Sequence, residues 1–345
     1  MMTIHEALTA LLRHESLSAD DASAIMRIIM HGEATPAQIA SLLTALRMKG
    51  ESVEEIAGFA RVMRELAVRI TPRCAALVDT CGTGGDTLKT FNISTAAAFV
   101  VAGAGVAVAK HGNRSVTSKS GSADVLEALG VNLAVPPELV TACIEQIGVG
   151  FLFAQHFHPA MKYAGPVRRE IGIRTVFNVL GPLTNPAGAP CQLLGVYAPE
   201  LTELLARVLH QLGSTRAFVV HGLLGLDEWS TAGPTRVSEL HDGQVTTTIY
   251  TAADFGLPEA NPADLAGGSP ADNAVLIHRL FRGEAGPRRD IVLLNAAAAL
   301  LAAGHAADMR DGLQQAANSL DSGAALAKLQ ALCEMTQGVA ATNIH

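Results

Sequence analysis

The chain has 345 residues, 49% of them apolar, 17% charged and 4% aromatic. That composition is globular, long enough for two domains and too apolar for a disordered chain. A formal net charge of −7 argues against a general nucleic-acid binder, so a site for an anionic ligand has to be locally basic. No apolar tract reaches the roughly 20 residues of a bilayer span. The start Met1-Met2-Thr3-Ile4-His5-Glu6 shows no signal-peptide pattern, and no secretory signal is expected. The five cysteines are scattered without a CxxC pair, which reads as free thiols in a reducing cytoplasm.

Residues 1–72 read as a helical domain. Thr35-Pro36-Ala37-Gln38 is a capping box with proline at the first helical position, and Ile39, Leu42, Leu43 and Leu46 follow at helical spacing. Ser52-Val53-Glu54-Glu55 is a second capping box, ahead of Ile56, Phe59, Ala60 and Met63. Ile25, Ile28 and Ile29 mark an earlier helix that ends near His31-Gly32. Helices this short need partners, so this domain is expected to pack on the rest of the chain or on a second copy.

From about residue 74 the pattern becomes apolar run, glycine-rich loop, helix. Strands are expected over 76–78, 106–109, 149–153, 192–196 and 217–220, with helices over 94–102, 123–129, 138–147 and 201–212. This alternation predicts a larger α/β domain, residues 73–159 and 186–345, with a central, mostly parallel sheet flanked by helices. Its ligands should sit at the carboxyl ends of the strands. Residues 160–185 interrupt the pattern with helices over 160–171 and 175–180, the second stopped by Gly181-Pro182. They are expected to return to the helical domain. Asp242-Gly243 between two alternating runs predicts a hairpin, and helices over 273–281, 290–303, 309–319 and 324–333 close the chain.

The chemistry concentrates between Asp79 and Asp124. Gly82-Thr83-Gly84-Gly85-Asp86 follows the first strand and is neither a P-loop nor a dinucleotide fingerprint. Asn92-Ile93-Ser94-Thr95 opens a helix, where an amide or hydroxyl can cap the helix, contact phosphate, or do both. After the second strand comes Lys110-His111-Gly112-Asn113-Arg114-Ser115-Val116-Thr117-Ser118-Lys119-Ser120-Gly121-Ser122. That run is either a solvated loop or the second wall of an anion site in which Lys110, Arg114 and Lys119 supply the local positive charge. Arg168 can cap a helix, pair with Glu170, or fork onto a substrate carboxylate. Asp227-Glu228, past the strand over 217–220, suits Mg²⁺ held partly by substrate phosphates. Cys81 lacks a partner that would make it a nucleophile. His156-Phe157-His158 lacks a third metal ligand, so packing or substrate contact fits it better.

Taken together, these segments resemble the anthranilate phosphoribosyltransferases. The resemblance rests on Gly82 to Asp86, Asn92 to Thr95, Lys110 to Arg114, Val167-Arg168-Arg169-Glu170-Ile171-Gly172, the run Asn178 to Pro186, and Gly225-Leu226-Asp227-Glu228, all in that family's order. It implies transfer of the phosphoribosyl group of 5-phosphoribosyl 1-diphosphate to the amine of anthranilate, a step of tryptophan biosynthesis. It also implies a cytoplasmic homodimer formed through the helical domain and Mg²⁺, about two ions per protomer. By matched position, Gly82, Gly85, Asp86, Thr90, Asn92, Ile93, Ser94 and Thr95 would hold the phosphoribosyl diphosphate. So would Lys110, His111, Gly112, Asn113, Arg114, Ser115, Val116, Thr117, Ser118 and Ser122. Gly82, Asn113 and Arg168 would contact anthranilate, and Ser94, Asp227 and Glu228 would ligate the metal. No residue matches a general acid or base.

The sequence departs from the family at Leu224, where many members carry an acid, and at Met161, where some carry a tyrosine on the access route. The rivals are a pyrimidine nucleoside phosphorylase, whose lysine-containing glycine loops are not matched, and a catalytically silent nucleic-acid-binding relative. The silent relative should have lost the glycine loop and gained a basic surface.

Overall fold

The computed structural model describes residues 2–115 and 119–338. Four helices open the chain: α1 (Ile4–Leu12), α2 (Ala19–Met30), α3 (Pro36–Lys49) and α4 (Val53–Glu65). Both expected capping boxes close reciprocally. Gln38 Oε1 accepts from Thr35 N at 2.9 Å, and Glu55 Oε2 accepts from Ser52 N at 2.8 Å. Ile25, Ile29, Leu42, Leu46 and Phe59 are buried in the core these helices share.

The α/β part begins with β1 (Leu77–Gly82), α5 (Ile93–Gly103), β2 (Ala107–Gly112), α6 (Ser122–Ala128), α7 (Pro137–Ile147) and β3 (Val149–Phe153). The chain then leaves the sheet through α8 (Ala154–Phe157), α9 (Met161–Ile171) and α10 (Phe177–Leu180). Of these, α9 lies on α2 and α3, and α10 on α4. The chain re-enters with β4 (Cys191–Gly195), α11 (Leu201–Gln211), β5 (Arg216–Gly222) and the hairpin β6 (Thr235–His241) and β7 (Gln244–Tyr250). Asp242 and Gly243 turn that hairpin with φ of 50° and 74°, as a primed turn requires. Helices α12 (Pro270–Phe281), α13 (Pro287–Ala302), α14 (Met309–Asp321) and α15 (Ala324–Gln337) finish the described chain. No helix is long and apolar enough to cross a membrane among the described residues.

The sheet runs β3-β2-β1-β4-β5-β6-β7, parallel through β5 and antiparallel beyond it. One face shares its core with the helical body through Leu194 of β4, Val219 of β5 and Leu205 and Leu209 of α11. The other face buries Val108 and Val220 against α5 and α13. Apart from Ser94, the stretch of α5 from Ile93 to Ala102 is buried on every side, which is why it lacks a polar stripe. The chain moves from β1 outward to β2 and β3, then returns to β4 on β1's other side. The switch point therefore lies at the carboxyl ends of β1 and β4.

Three expectations change. Strands β1 and β2 run on to Gly82 and Gly112 because the parallel ladders continue as far as Gly82–Gly195 and Gly112–Phe153. Polar residues read as loop, Asp79 to Cys81 and Lys110 to His111, are thus buried strand residues. The short helix after Thr175 begins only at Phe177, though it ends at Leu180, directly before Gly181-Pro182, as expected. The chain tightens there into a 3₁₀ turn over Gly181–Leu183, a geometry that tolerates proline in its first turn.

Candidate active site

The strands must first hold charged residues inside the sheet, and one buried network does so. Asn185 Nδ2 donates to Asp79 Oδ2 at 2.7 Å and to Ala109 O at 2.8 Å, tying β1 to β2 from below. Asp79 Oδ1 accepts from His111 N at 3.2 Å. Lys110 Nζ donates to Thr80 O and approaches Ser94 Oγ at 3.4 Å. Burial raises the Asp79 pKa to about 6 against the pull of Lys110, and burial lowers that of Lys110. Cys81 is buried and far above its ordinary thiol pKa. Its Sγ accepts from Gln192 Nε2 at 2.9 Å, so it is a packed strand residue and not a nucleophile.

Above this floor lies a cavity of about 430 Å³. Its sheet side is formed by Gly82 to Asp86, Thr90 to Thr95, Lys110 to Ser115 and Ser120 to Ser122. Asp86 Oδ2 accepts from both N and Oγ1 of Thr90, at 2.9 and 2.8 Å, which closes the glycine loop on itself. Thr83 N donates to Gly195 O at 2.9 Å, and Tyr197 N to Thr83 Oγ1 at 3.0 Å. Asn113 Oδ1 accepts from Arg114 N at 2.8 Å, while its carbonyl accepts from Ser122 Oγ at 3.3 Å. Val116, Thr117 and Ser118 lie outside the described residues.

The local positive charge is arranged differently from expectation. Lys110 is only 3% exposed. Arg114 is engaged by Glu127 at 2.5 and 2.8 Å and by Asp124 at 3.1 Å. Thr95 Oγ1 is buried without a hydrogen-bond partner.

Asp227 and Glu228 reach the cavity from the loop after β5 because β1 and β4 end in glycine. A Cβ on Gly195 would stand 1.7 Å from Asp227 O, and one on Gly82 would stand 3.0 Å from Asp227 Oδ2. Glu228 Oε1 accepts from Ser94 N at 3.1 Å. Burial, with repulsion from Asp86, raises Asp227 to about 6; burial, with repulsion from Asp227, raises Glu228 to about 8. Leu224 is 48% exposed and lies against Gly233.

The opposite side belongs to the helical body. Arg168 stacks on Phe177 at 5.0 Å, forms no salt bridge among the described residues, and is lowered from its ordinary pKa by burial. It does not pair with Glu170. At the seam between the two sides, His111 of β2 packs on His158, which lies between α8 and α9, with ring centroids 5.1 Å apart. Burial lowers them to about 3 and about 4, with mutual repulsion adding to the shift of His111. Both rings keep a buried Nε2 without a partner. Met161, His158, Asn178, Pro182 and Thr184 also line the cavity. Sequence reasoning assigned no site role to the last three, although the segment Asn178 to Pro186 had carried part of the resemblance.

The glycosyl transferase family helical bundle domain matches residues 5–67, and the family's a/b domain matches residues 75–326. The anthranilate phosphoribosyltransferase of Moorella thermoacetica is 60% identical over 327 residues, covering 95% of this chain and 96% of that protein. The chain belongs to the anthranilate phosphoribosyltransferases. The Thermus thermophilus member has a crystal structure 46% identical, with a TM-score of 0.91, covering 96% of this chain and 99% of that one. The Saccharomyces cerevisiae member in complex with PRPP and Mg is 30% identical, with a TM-score of 0.88, covering 97% of this chain and 98% of that one. These relatives favour neither the phosphorylase nor the nucleic-acid-binding rival.

Proposed function

We infer that this enzyme transfers the phosphoribosyl group of 5-phosphoribosyl 1-diphosphate to the amine of anthranilate. The products are N-(5-phosphoribosyl)anthranilate and diphosphate, in a step of tryptophan biosynthesis. The observation that carries this reading is the two-sided cavity. An anion-sized cradle of loop amides and hydroxyls on the sheet side faces Arg168, a half-buried guanidinium without a carboxylate partner among the described residues, on the helical side. A partly desolvated charge without a partner carries a cost, and a bidentate substrate carboxylate would relieve it at Arg168.

The donor's diphosphate would lie along Gly82, Gly85, Asp86, Thr90 and the start of α5, with the loop from Lys110 to Ser122 holding the ribose phosphate. Gly82, Asn113 and Arg168 would orient anthranilate. Neutral His111 and His158, which line the same cavity as Arg168, would present ring nitrogens to the acceptor without adding positive charge there. The C1–O bond to diphosphate breaks as the C1–N bond forms, and the amine releases a proton. An aromatic amine is already neutral at neutral pH, so the lack of an assigned base is consistent with this step. Alignment of the two reactants supplies a large part of the acceleration, roughly 7–11 kcal/mol where reactants are well oriented. Enclosure between the two bodies excludes water as a competing nucleophile.

The donor set fits Mg²⁺. Asp227, Glu228 and Ser94 offer only oxygen, the two carboxylates are buried with raised pKa values, and a hard divalent cation would relieve their repulsion. When bound, Mg²⁺ stabilises the charge that develops on the departing diphosphate. About two ions per protomer are expected, a number that calorimetric titration would count. Free cysteines support a cytoplasmic setting. A homodimer through the helical body is supported by Leu12 of α1 and Met48 of α3, which are 75% and 79% exposed. Met48→Glu with Leu12→Glu should halve the mass found by analytical ultracentrifugation.

The test of the reaction is the loss of anthranilate fluorescence on adding 5-phosphoribosyl 1-diphosphate with Mg²⁺. Uracil or thymidine with phosphate serves as the control. Turnover in the control alone would overturn this reading.

A further inference from the structure

We propose that Asn273 is a positioning residue for the phosphoribosyl-diphosphate cradle and acts through Asn92; this rests on the reading of the cavity above. Asn273 sits on α12, is 1% exposed, and comes from a part of the chain that contributes nothing to the cavity lining. Asn92 does line the cavity, and it occupies the N-cap of α5 without making a side-chain capping bond. Its side chain is committed elsewhere. Asn92 Oδ1 accepts from Asn273 Nδ2 at 2.9 Å and from Ser120 Oγ at 3.1 Å, while Asn92 Nδ2 donates to Ser120 O at 3.2 Å.

The orientation of these amides follows from one backbone group. Gly268 N donates to Asn273 Oδ1 at 2.8 Å, and a backbone N–H can only donate. Asn273 must therefore turn its oxygen toward Gly268 and its amide nitrogen toward Asn92. Asn92 must answer with its oxygen, which sends its own nitrogen to the carbonyl of Ser120. The same segment also grips the cradle through its backbone. Phe91 N donates to Leu265 O at 3.2 Å, Gly267 N donates to Lys89 O at 2.9 Å, and Thr90 bridges Ala266. Asn273 extends that grip by one side chain. Through Asn92 it reaches the loop after β2, so the register between the two phosphate-facing loops depends on a residue that touches neither substrate.

The test uses steady-state kinetics on the full chain, with KM measured separately for the two substrates. Asn273→Ala should raise KM for 5-phosphoribosyl 1-diphosphate about tenfold and leave KM for anthranilate within about twofold. Asn92→Ala combined with Asn273→Ala should be no worse than Asn92→Ala alone, because the two residues act in series. Asn273→Asp keeps the acceptor for Gly268 and the side-chain size while removing the donor to Asn92, so it carries the same readout if the alanine variant does not fold. Its effect should likewise vanish in the Asn92→Ala background, whereas plain charge repulsion of the donor would persist there. An unchanged KM for the donor, an equal rise for both substrates, or additive effects would overturn the proposal. If the wild type does not consume anthranilate with the donor and Mg²⁺, the reading of the cavity fails. If it does and the Asn273 variants match it, only the role of Asn273 fails.

Discussion

On the sheet side of the cavity, nearly every polar group has a partner within the protein: Asp86 holds Thr90, Glu228 holds Ser94 N, Asn113 holds Arg114 N, and Glu127 holds Arg114. Facing it, Arg168 of α9 has no salt bridge among the described residues, and at the seam between the two sides His111 of β2 and His158, between α8 and α9, each keep a buried nitrogen without a partner. The first surface is pre-organised by these bonds and would change little when a polyanion replaces solvent. The second stores unsatisfied polar groups that a flat, carboxylate-bearing acceptor would pair. Donor binding would then rest mainly on the sheet side, and acceptor binding on Arg168 and the histidine pair at the seam.

The sharpest way to break that division is at the carboxylates between the two sides. Asp227→Ala with Glu228→Ala should lower turnover about a thousandfold and abolish the dependence of rate on Mg²⁺. An unchanged metal titration would remove both residues from that role. Gly195→Ala comes next. A methyl placed 1.7 Å from Asp227 O must displace the loop by about an ångström, which should cost about a hundredfold in kcat/KM while circular dichroism shows a folded protein. Wild-type activity in this variant would mean that the loop position is not critical.

On the helical side, Arg168→Ala should raise KM for anthranilate about thirtyfold, equivalent to the ~2 kcal/mol of a charged hydrogen bond, with KM for the donor little changed. Equal effects on both substrates would erase the contrast between the two surfaces. The smallest effect is on stability. His158 is lowered to about 4 from its ordinary value of 6.5, so the unfolded chain takes up its proton first as the pH falls. Stability should be complete above about pH 6.5 and decline toward pH 4 by ~1.4 kcal/mol per pH unit for this one group. His158→Gln should flatten the slope of denaturant-derived stability against pH by one proton. An unaltered slope would mean that the ring is not buried neutral.

The same contrast explains what could be read in advance. Capping boxes at Thr35 and Ser52, the Asp242-Gly243 turn and the apolar runs before each loop are local signals, because turn and cap geometry is satisfied within four or five residues. The glycine loop and Asn92 to Thr95 were legible for the same reason. The carboxyl-terminal halves of β1 and β2 were not. Asp79, Thr80 and Lys110 look like loop residues until Asn185, over a hundred residues away from Asp79, is seen to satisfy the carboxylate. Arg114 read as a free cation, and only the fold brings Glu127 onto it.

The sequence by itself determined the order of helices and strands, the glycine and hydroxyl cradle at the first two strand ends, and the family. Those features depend on local backbone preference and on short motifs. The tertiary structure decided which cation stays available, that two terminal glycines admit Asp227 and Glu228 over the sheet, and that Asn273 sets the amide of Asn92. Each of these is a desolvated contact between segments far apart in the chain. Its energy depends on what else is buried beside it, and no local pattern encodes that.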